Sequence, residues 1–128
     1  MAKVRIRPGH VRPLWAGHPW VYAQAIASVD GQPAAGDVVE VIDAQGKWLG
    51  RGFYSPGSAL VVRMLTRKEG EQLDEAFFLQ RLQDAVKLRR DWLGLPNEQT
   101  TGYRLVHAEG DGLPGVIVDV FDRVAVAQ

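Results

Sequence analysis

The run Val38-Val39-Glu40-Val41-Ile42-Asp43-Ala44-Gln45-Gly46-Lys47-Trp48-Leu49-Gly50-Arg51-Gly52-Phe53-Tyr54 contains both arms of a β-hairpin. Val38 to Ile42 is rich in β-branched side chains, which suit a pleated, half-buried surface. Asp43-Ala44-Gln45-Gly46 is a short turn ending in glycine, and Lys47 to Tyr54 returns. Gly50 and Gly52 inside the returning strand predict a bulge or a tight barrel bend. Downstream, Ser55-Pro56-Gly57-Ser58 turns the chain again and Ala59 to Leu65 reads as a further strand. Upstream, Val4 and Ile6 alternate with Lys3, Arg5 and Arg7, so a strand here turns apolar side chains inward and three cations outward. Pro13 suits the first turn of a short helix and Gly17 its end. Val21 to Ile26 reads as a strand, and Gln32-Pro33-Ala34-Ala35-Gly36 as a loop. Many short strands at this spacing predict a small barrel or sandwich.

The character changes near residue 69. Asp74 is a candidate N-cap, and Phe77, Phe78, Leu82, Ala85, Val86 and Leu93 recur near helical spacing up to Gly94. Leu95 to Thr101 is a polar connector. Tyr103 to Val106 and Val116 to Val120 read as strands around a glycine-rich turn. Val124-Ala125-Val126-Ala127-Gln128 opens another strand, which reads either as a sheet continued by further chain or as a natural edge strand. The expected fold class is therefore mainly β with an α+β extension.

The chain has 128 residues, 46% of them apolar and 23% charged, which fits an ordinary globular protein rather than a disordered one. No apolar run approaches the roughly 20 residues that cross a bilayer, so no membrane partner is expected. Met1 to Arg7 is charged with no hydrophobic segment behind it, unlike a signal peptide. With no cysteine there is no disulfide, thiolate metal site or cysteine nucleophile, and a cytoplasmic location is expected. Formal net charge is zero, but residues 1–68 carry nine Lys/Arg against four Asp/Glu, and residues 69–128 six against eleven. Such asymmetry reads as two units with different electrostatic roles, or as chance clustering on solvated surfaces.

Gly110-Asp111-Gly112-Leu113-Pro114-Gly115 satisfies G-x-G-x-x-G, the pattern of a dinucleotide or S-adenosylmethionine loop. That function needs a helix opening inside the motif. Here a β-branched run follows and Pro114 removes an N–H, so a turn between strands is expected instead. His10, His18 and His107 show no metal-ligand spacing. Glu109 and Asp111 are available as paired carboxylates, or Asp111 as a turn residue bonding its own backbone. No nucleophile–base pair stands out. The remaining signal is the basic first half, where Lys3, Arg5, Arg7, Arg12, Arg51, Arg63, Arg67 and Lys68 are interleaved with Trp15, Trp20, Trp48 and Tyr54. Cations neutralise phosphates and aromatic faces stack on unpaired bases, which points to RNA. The competing reading is buried tryptophans and merely solvated arginines.

Three stretches carry a resemblance: Gly17 to Tyr22, Gly46 to Ser55, and Tyr103-Arg104-Leu105-Val106 through Glu109 to Gly115 and Asp119. In this order, from about Val4 to Gln128, the chain resembles S-adenosylmethionine-dependent methyltransferases that modify cytosine C5 in large-subunit ribosomal RNA. The resemblance implies a PUA-like pseudobarrel over residues 1–70. Residues 71–128 would then hold a linker helix and the first strands of a small α/β middle domain. It also implies a Rossmann-like cofactor domain that this chain does not contain. Family chemistry uses a cysteine thiolate against cytosine C6, and there is no cysteine here. No catalytic, cofactor-binding or metal residue is therefore carried over, and S-adenosylmethionine is expected only for the parent protein. RNA contact, combined with the charge pattern, nominates Lys3, Arg5, Arg7, Arg12, His18, Arg51 and Arg63. The expected partner is ribosomal RNA, 23S by resemblance, with a homodimer left open. A stand-alone PUA-type RNA-binding module and a protein-interaction barrel are the alternatives.

Overall fold

The computed structural model describes all 128 residues, and they form two units, Met1–Glu71 and Gln72–Gln128. In the first, the expected hairpin is present as β4 (Val38–Ile42) and β5 (Trp48–Tyr54). Its turn is held by Asp43, which is buried and whose Oδ1 accepts from the backbone N–H of Gln45 (2.9 Å) and Lys47 (2.8 Å). Before it come β1 (Lys3–Ile6), the one-turn helix α1 (Arg12–Trp15), β2 (Trp20–Tyr22) and β3 (Ile26–Asp30); after it comes β6 (Leu60–Thr66). Proline at the start of α1 does what its fixed φ and missing N–H suit it for.

The six strands lie in the order β2-β6-β5-β4-β1-β3. All neighbours are antiparallel except β1 and β4. The expected strand from Val21 to Ile26 is instead two strands separated by a 3₁₀ turn, Ala23–Ala25. The reason is topological. β2 and β3 occupy opposite edges of the sheet, yet three residues join them. So short a link requires the sheet to curl until its edges approach, and the turn carries the chain across. The result is the half-barrel that the PUA-like expectation called for. Val4, Ile6, Val21, Val39, Val41 and Val62 point inward and are essentially inaccessible to water. Each such side chain contributes about 1.5–3 kcal/mol on burial.

Gly50 and Gly52 sit where β5 and β6 pinch together beside a bulge at Arg51/Gly52. A Cβ on Gly50 would lie 2.6 Å from the Thr66 carbonyl oxygen. One on Gly52 would lie 2.8 Å from Val62 Cγ1 and press on the Arg63 carbonyl. Backbone cannot yield as a flexible side chain can. Gly52→Ala is therefore expected to destabilise the N-terminal unit by about 1–3 kcal/mol, the usual cost of overpacking. Urea unfolding followed by tryptophan fluorescence measures it, and an unchanged midpoint would contradict the close approach.

The second unit begins with α2 (Glu75–Lys87), capped by Asp74, whose Oδ1 accepts from the Phe77 N–H at 3.0 Å. A π-helical turn, Leu88–Trp92, extends it, and Gly94 adopts the left-handed conformation that ends it. Phe78 and Ala85 pack with Val106 and Leu113, whereas Leu82 and Leu93, counted in the helical spacing, are exposed. β7 (Gly102–His107), β8 (Ile117–Phe121) and β9 (Val124–Ala127) make an antiparallel meander. No helix in the chain is long and apolar enough to cross a membrane.

Candidate functional site

The outward face of the half-barrel carries one row of register partners across five strands: Asp30, Lys3, Glu40, Arg51 and Thr66. Its charges alternate. Lys3 Nζ lies 3.8 Å from Glu40, and Arg5 Nη2 lies 3.7 Å from Asp30. Arg5 Nη1 also reaches the carbonyls of Asp43 and Ala44 at 3.4 Å. Arg51 donates to the Glu71 carbonyl, and the Glu71 carboxylate accepts from Thr66 Oγ1. Arg63 stands opposite Phe53 and Trp20 in register. Alternation of this kind holds neighbouring strands together, at about 0.2–1 kcal/mol per pair, and leaves little net field for a polyanion.

A different wall is formed by α1 and β2. His18, Trp20 and Tyr22 alternate along the chain, so their rings share one side. Ring centroids are 5.8 Å apart for His18–Trp20, 6.0 Å for His18–Tyr22 and 6.5 Å for Trp20–Tyr22. They bound a cleft of about 180 Å³ whose buried lining includes Leu14 and Val21, with His10 and Gln24 among its polar residues. His18 Nδ1 is engaged with the Trp20 backbone, 3.2 Å from its N–H and 3.3 Å from its carbonyl, which fixes the ring and leaves Nε2 for another partner. The Trp20 indole Nε1–H is buried with no acceptor. A buried donor left unpaired costs about 1–3 kcal/mol, so this position is destabilising unless something outside the chain satisfies it.

Two cations, Arg67 and Arg7, flank this cleft without carboxylate partners. Arg67 Nη2 donates to the His18 carbonyl at 2.5 Å, and partial burial lowers its pKa from the ordinary value. Arg7 Nε donates to the Ile26 carbonyl at 2.9 Å, next to Ala25, which lines the cleft. Arg12 is exposed on α1, where with Trp15 it lines a second cavity of about 230 Å³. Trp15 is 67% exposed. A carbonyl partner orients a guanidinium and leaves its charge available.

The seven nominated residues thus separate into two groups. Lys3, Arg5, Arg51 and Arg63 lie on the sheet, with Lys3 and Arg5 tied to acidic partners; Arg7, Arg12 and His18 gather at the α1–β2 wall. Sequence reasoning counted Arg67 as basic but did not nominate it, and it passed over Tyr22 and Gln24. The spacing of His18, Trp20 and Tyr22 was the signal that could have found the cleft.

In the second unit, the glycine-rich run connects two antiparallel strands through a 3₁₀ turn, Ala108–Asp111, with Gly112 left-handed. No helix opens there, so these residues do not fit a nucleotide cofactor and no chemistry is routed through them. Asp111 is committed elsewhere. Its carboxylate takes two bonds from Arg89, at 2.5 and 2.9 Å, and a third from the His107 N–H at 2.6 Å. Burial pushes the Asp111 carboxyl up, but the Arg89 and His107 hydrogen bonds with the Arg89 charge outweigh it, and its pKa is lowered. The Arg104 side chain holds Asp119 in the same direction at the surface. No group of three His, Asp or Glu side chains is placed to hold a metal.

The family described as a PUA-like domain matches residues 4–67, the span that builds the half-barrel and the cleft. The chain belongs to the PUA-like domain family. Beyond the barrel, it is 46% identical over 127 residues to a protein named ribosomal RNA large subunit methyltransferase I from Alteromonas mediterranea. Identity to the proteins of that name is 44% in Shewanella denitrificans and 42% in Escherichia coli. The matches cover 94–99% of this PUA-like chain but only 30–32% of those relatives, so it spans about a third of their length. A solved Streptococcus mutans structure described as a candidate SAM-dependent methyltransferase superposes with a TM-score of 0.80 at 20% identity. It covers 99% of this chain and 32% of that one. At that identity the likeness speaks to fold.

Proposed function

We propose that this chain is the RNA-gripping portion of a cytoplasmic, S-adenosylmethionine-dependent methyltransferase acting on cytosine C5 of 23S ribosomal RNA. The observation that carries the reading is two arginines without carboxylate partners, Arg7 and Arg67, bordering an aromatic cleft of a PUA-like barrel, with Arg12 exposed on the neighbouring α1. The names of the relatives supply the substrate class. S-adenosylmethionine supplies the methyl group when bound, and its site belongs to a portion of the parent protein outside this chain. The residues present here grip and orient the RNA.

Phosphate contacts release counterions, so affinity must fall with salt. Three contacts to a single strand give a slope of log K against log salt of about −2. Gel shifts with structured and single-stranded RNA across a salt series measure it, and a flat response would end the RNA reading. Calorimetry gives the complementary test. This chain alone should show no heat with S-adenosylmethionine, whereas the protein extended beyond Gln128 should bind it.

A further inference from the structure

We propose that the His18–Trp20–Tyr22 cleft receives one unpaired nucleobase of the bound RNA, with the bordering arginines holding the phosphates on either side. This rests on the RNA reading above and specifies which part of the ligand the cleft takes. The cleft, at about 180 Å³, is smaller than the roughly 300 Å³ at which ordinary small-molecule pockets begin. It therefore suits a single planar ring system and not a whole nucleotide.

Its chemistry is equally selective. Tyr22 is 38% exposed and Trp20 stands edge-on to it at 87°, so Trp20 does not itself stack on the Tyr22 ring. The polar groups at hand are the Trp20 indole N–H, His18 Nε2, the Tyr22 hydroxyl and the Gln24 amide. The first is a buried donor with no acceptor in the chain. A base edge offers carbonyl and ring-nitrogen acceptors for such a donor once the indole turns its buried N–H toward the cleft, together with donors for Gln24 or Tyr22 to accept. An aromatic box can also hold a cation, such as a methylated lysine of a peptide. Here no carboxylate lines the cleft, and Arg7 and Arg67 border it. Positive surroundings disfavour a cationic guest and favour a base arriving on a phosphate chain.

The test uses a ten-nucleotide single-stranded RNA of mixed sequence and a ribose-phosphate decamer of equal charge carrying no bases. Mixed sequence lets any base slide into register. The chain should bind the RNA about 5- to 150-fold more tightly than the abasic decamer, as one stacked base implies. Tyr22→Ala should remove most of that ratio while leaving the salt slope unchanged. In the ¹⁵N-labelled chain the Trp20 indole resonance, identified by its loss in Trp20→Phe, should move with RNA and stay put with the abasic decamer. Equal, salt-dependent binding of both decamers would overturn the cleft assignment and leave the RNA reading standing. Movement of the indole resonance with a trimethyllysine peptide instead of RNA would also overturn it. Binding of neither decamer at low salt would overturn both readings together.

Discussion

Replacing Asp111 with Asn is expected to unfold the C-terminal unit while leaving the half-barrel intact. Arg89 and Asp111 are both largely withdrawn from water, with side-chain exposures of 11% and 6%. Arg89 Nε also donates to the Arg104 carbonyl at 3.1 Å, so the guanidinium ties α2's π-helical extension to β7 and to the turn after it. Asn keeps the shape but removes the charge, and Arg89 is left buried without a counterion. Breaking such a pair costs about 3–5 kcal/mol. The unit's core cluster has three buried apolar residues, Ala85, Val106 and Leu113, with partly buried ones packed on them, so that loss exceeds what so small a core can absorb. Hydrogen exchange resolves the outcome: amides of β7 and β8 should lose protection while those of β4 and β5 keep it. Arg89→Met combined with Asp111→Leu removes both charges and should recover much of the loss. Full β7 protection in Asp111→Asn would mean the pair is not structural.

The same pair sets an acid limit. Because the folded-state pKa of Asp111 is lowered, its stabilising contribution is fully present above the unfolded carboxyl value near 3.9. It is lost as pH falls through the lower folded value. Acid unfolding of this unit should therefore begin below about pH 4, and the Arg89→Met, Asp111→Leu double variant, which folds without the pair, should show a flatter limb.

How much of this was legible beforehand depended on the range of the interaction. The β4–β5 hairpin was readable because its signals are local: β-branched residues, a four-residue turn, and two glycines where a bend was needed. The turn reading of Gly110 to Gly115 succeeded for the same reason, since the β-branched run after Gly115 could not be a helix. Val21 to Ile26 was misread because nothing local interrupts it. Ala23-Gln24-Ala25 has neither glycine nor proline, and the break is imposed by closure between two sheet edges. The outward direction of Lys3 and Arg5 followed from alternation alone. Their neighbours Asp30 and Glu40 did not, because these come from antiparallel and parallel partners distant in sequence, whose register no local pattern specifies.

That hidden register is what makes the arginines separable by experiment. Substituting Arg7, Arg12 and Arg67 together with Gln should weaken RNA binding on the order of 100-fold. This takes each phosphate contact at about 1 kcal/mol. The salt slope should shrink by about 2, since each lost contact releases fewer counterions. Substituting Lys3, Arg5 and Arg51 removes the same formal charge from the same unit. Lys3 and Arg5 already face carboxylates, and Arg51 stands beside Glu40 in the alternating row. The second set should therefore change affinity only a few-fold and leave the slope nearly intact. It should instead cost modest stability, about 0.2–1 kcal/mol per broken pair, and expose unpaired Asp30 and Glu40. Equal losses from the two sets would mean that net charge alone governs binding and that the α1–β2 wall has no privileged role. A larger loss from the sheet set would move the interface to the outer face of the barrel. The contrast is decisive because both triples change charge identically, so only the placement of carboxylates around each guanidinium or ammonium can distinguish them.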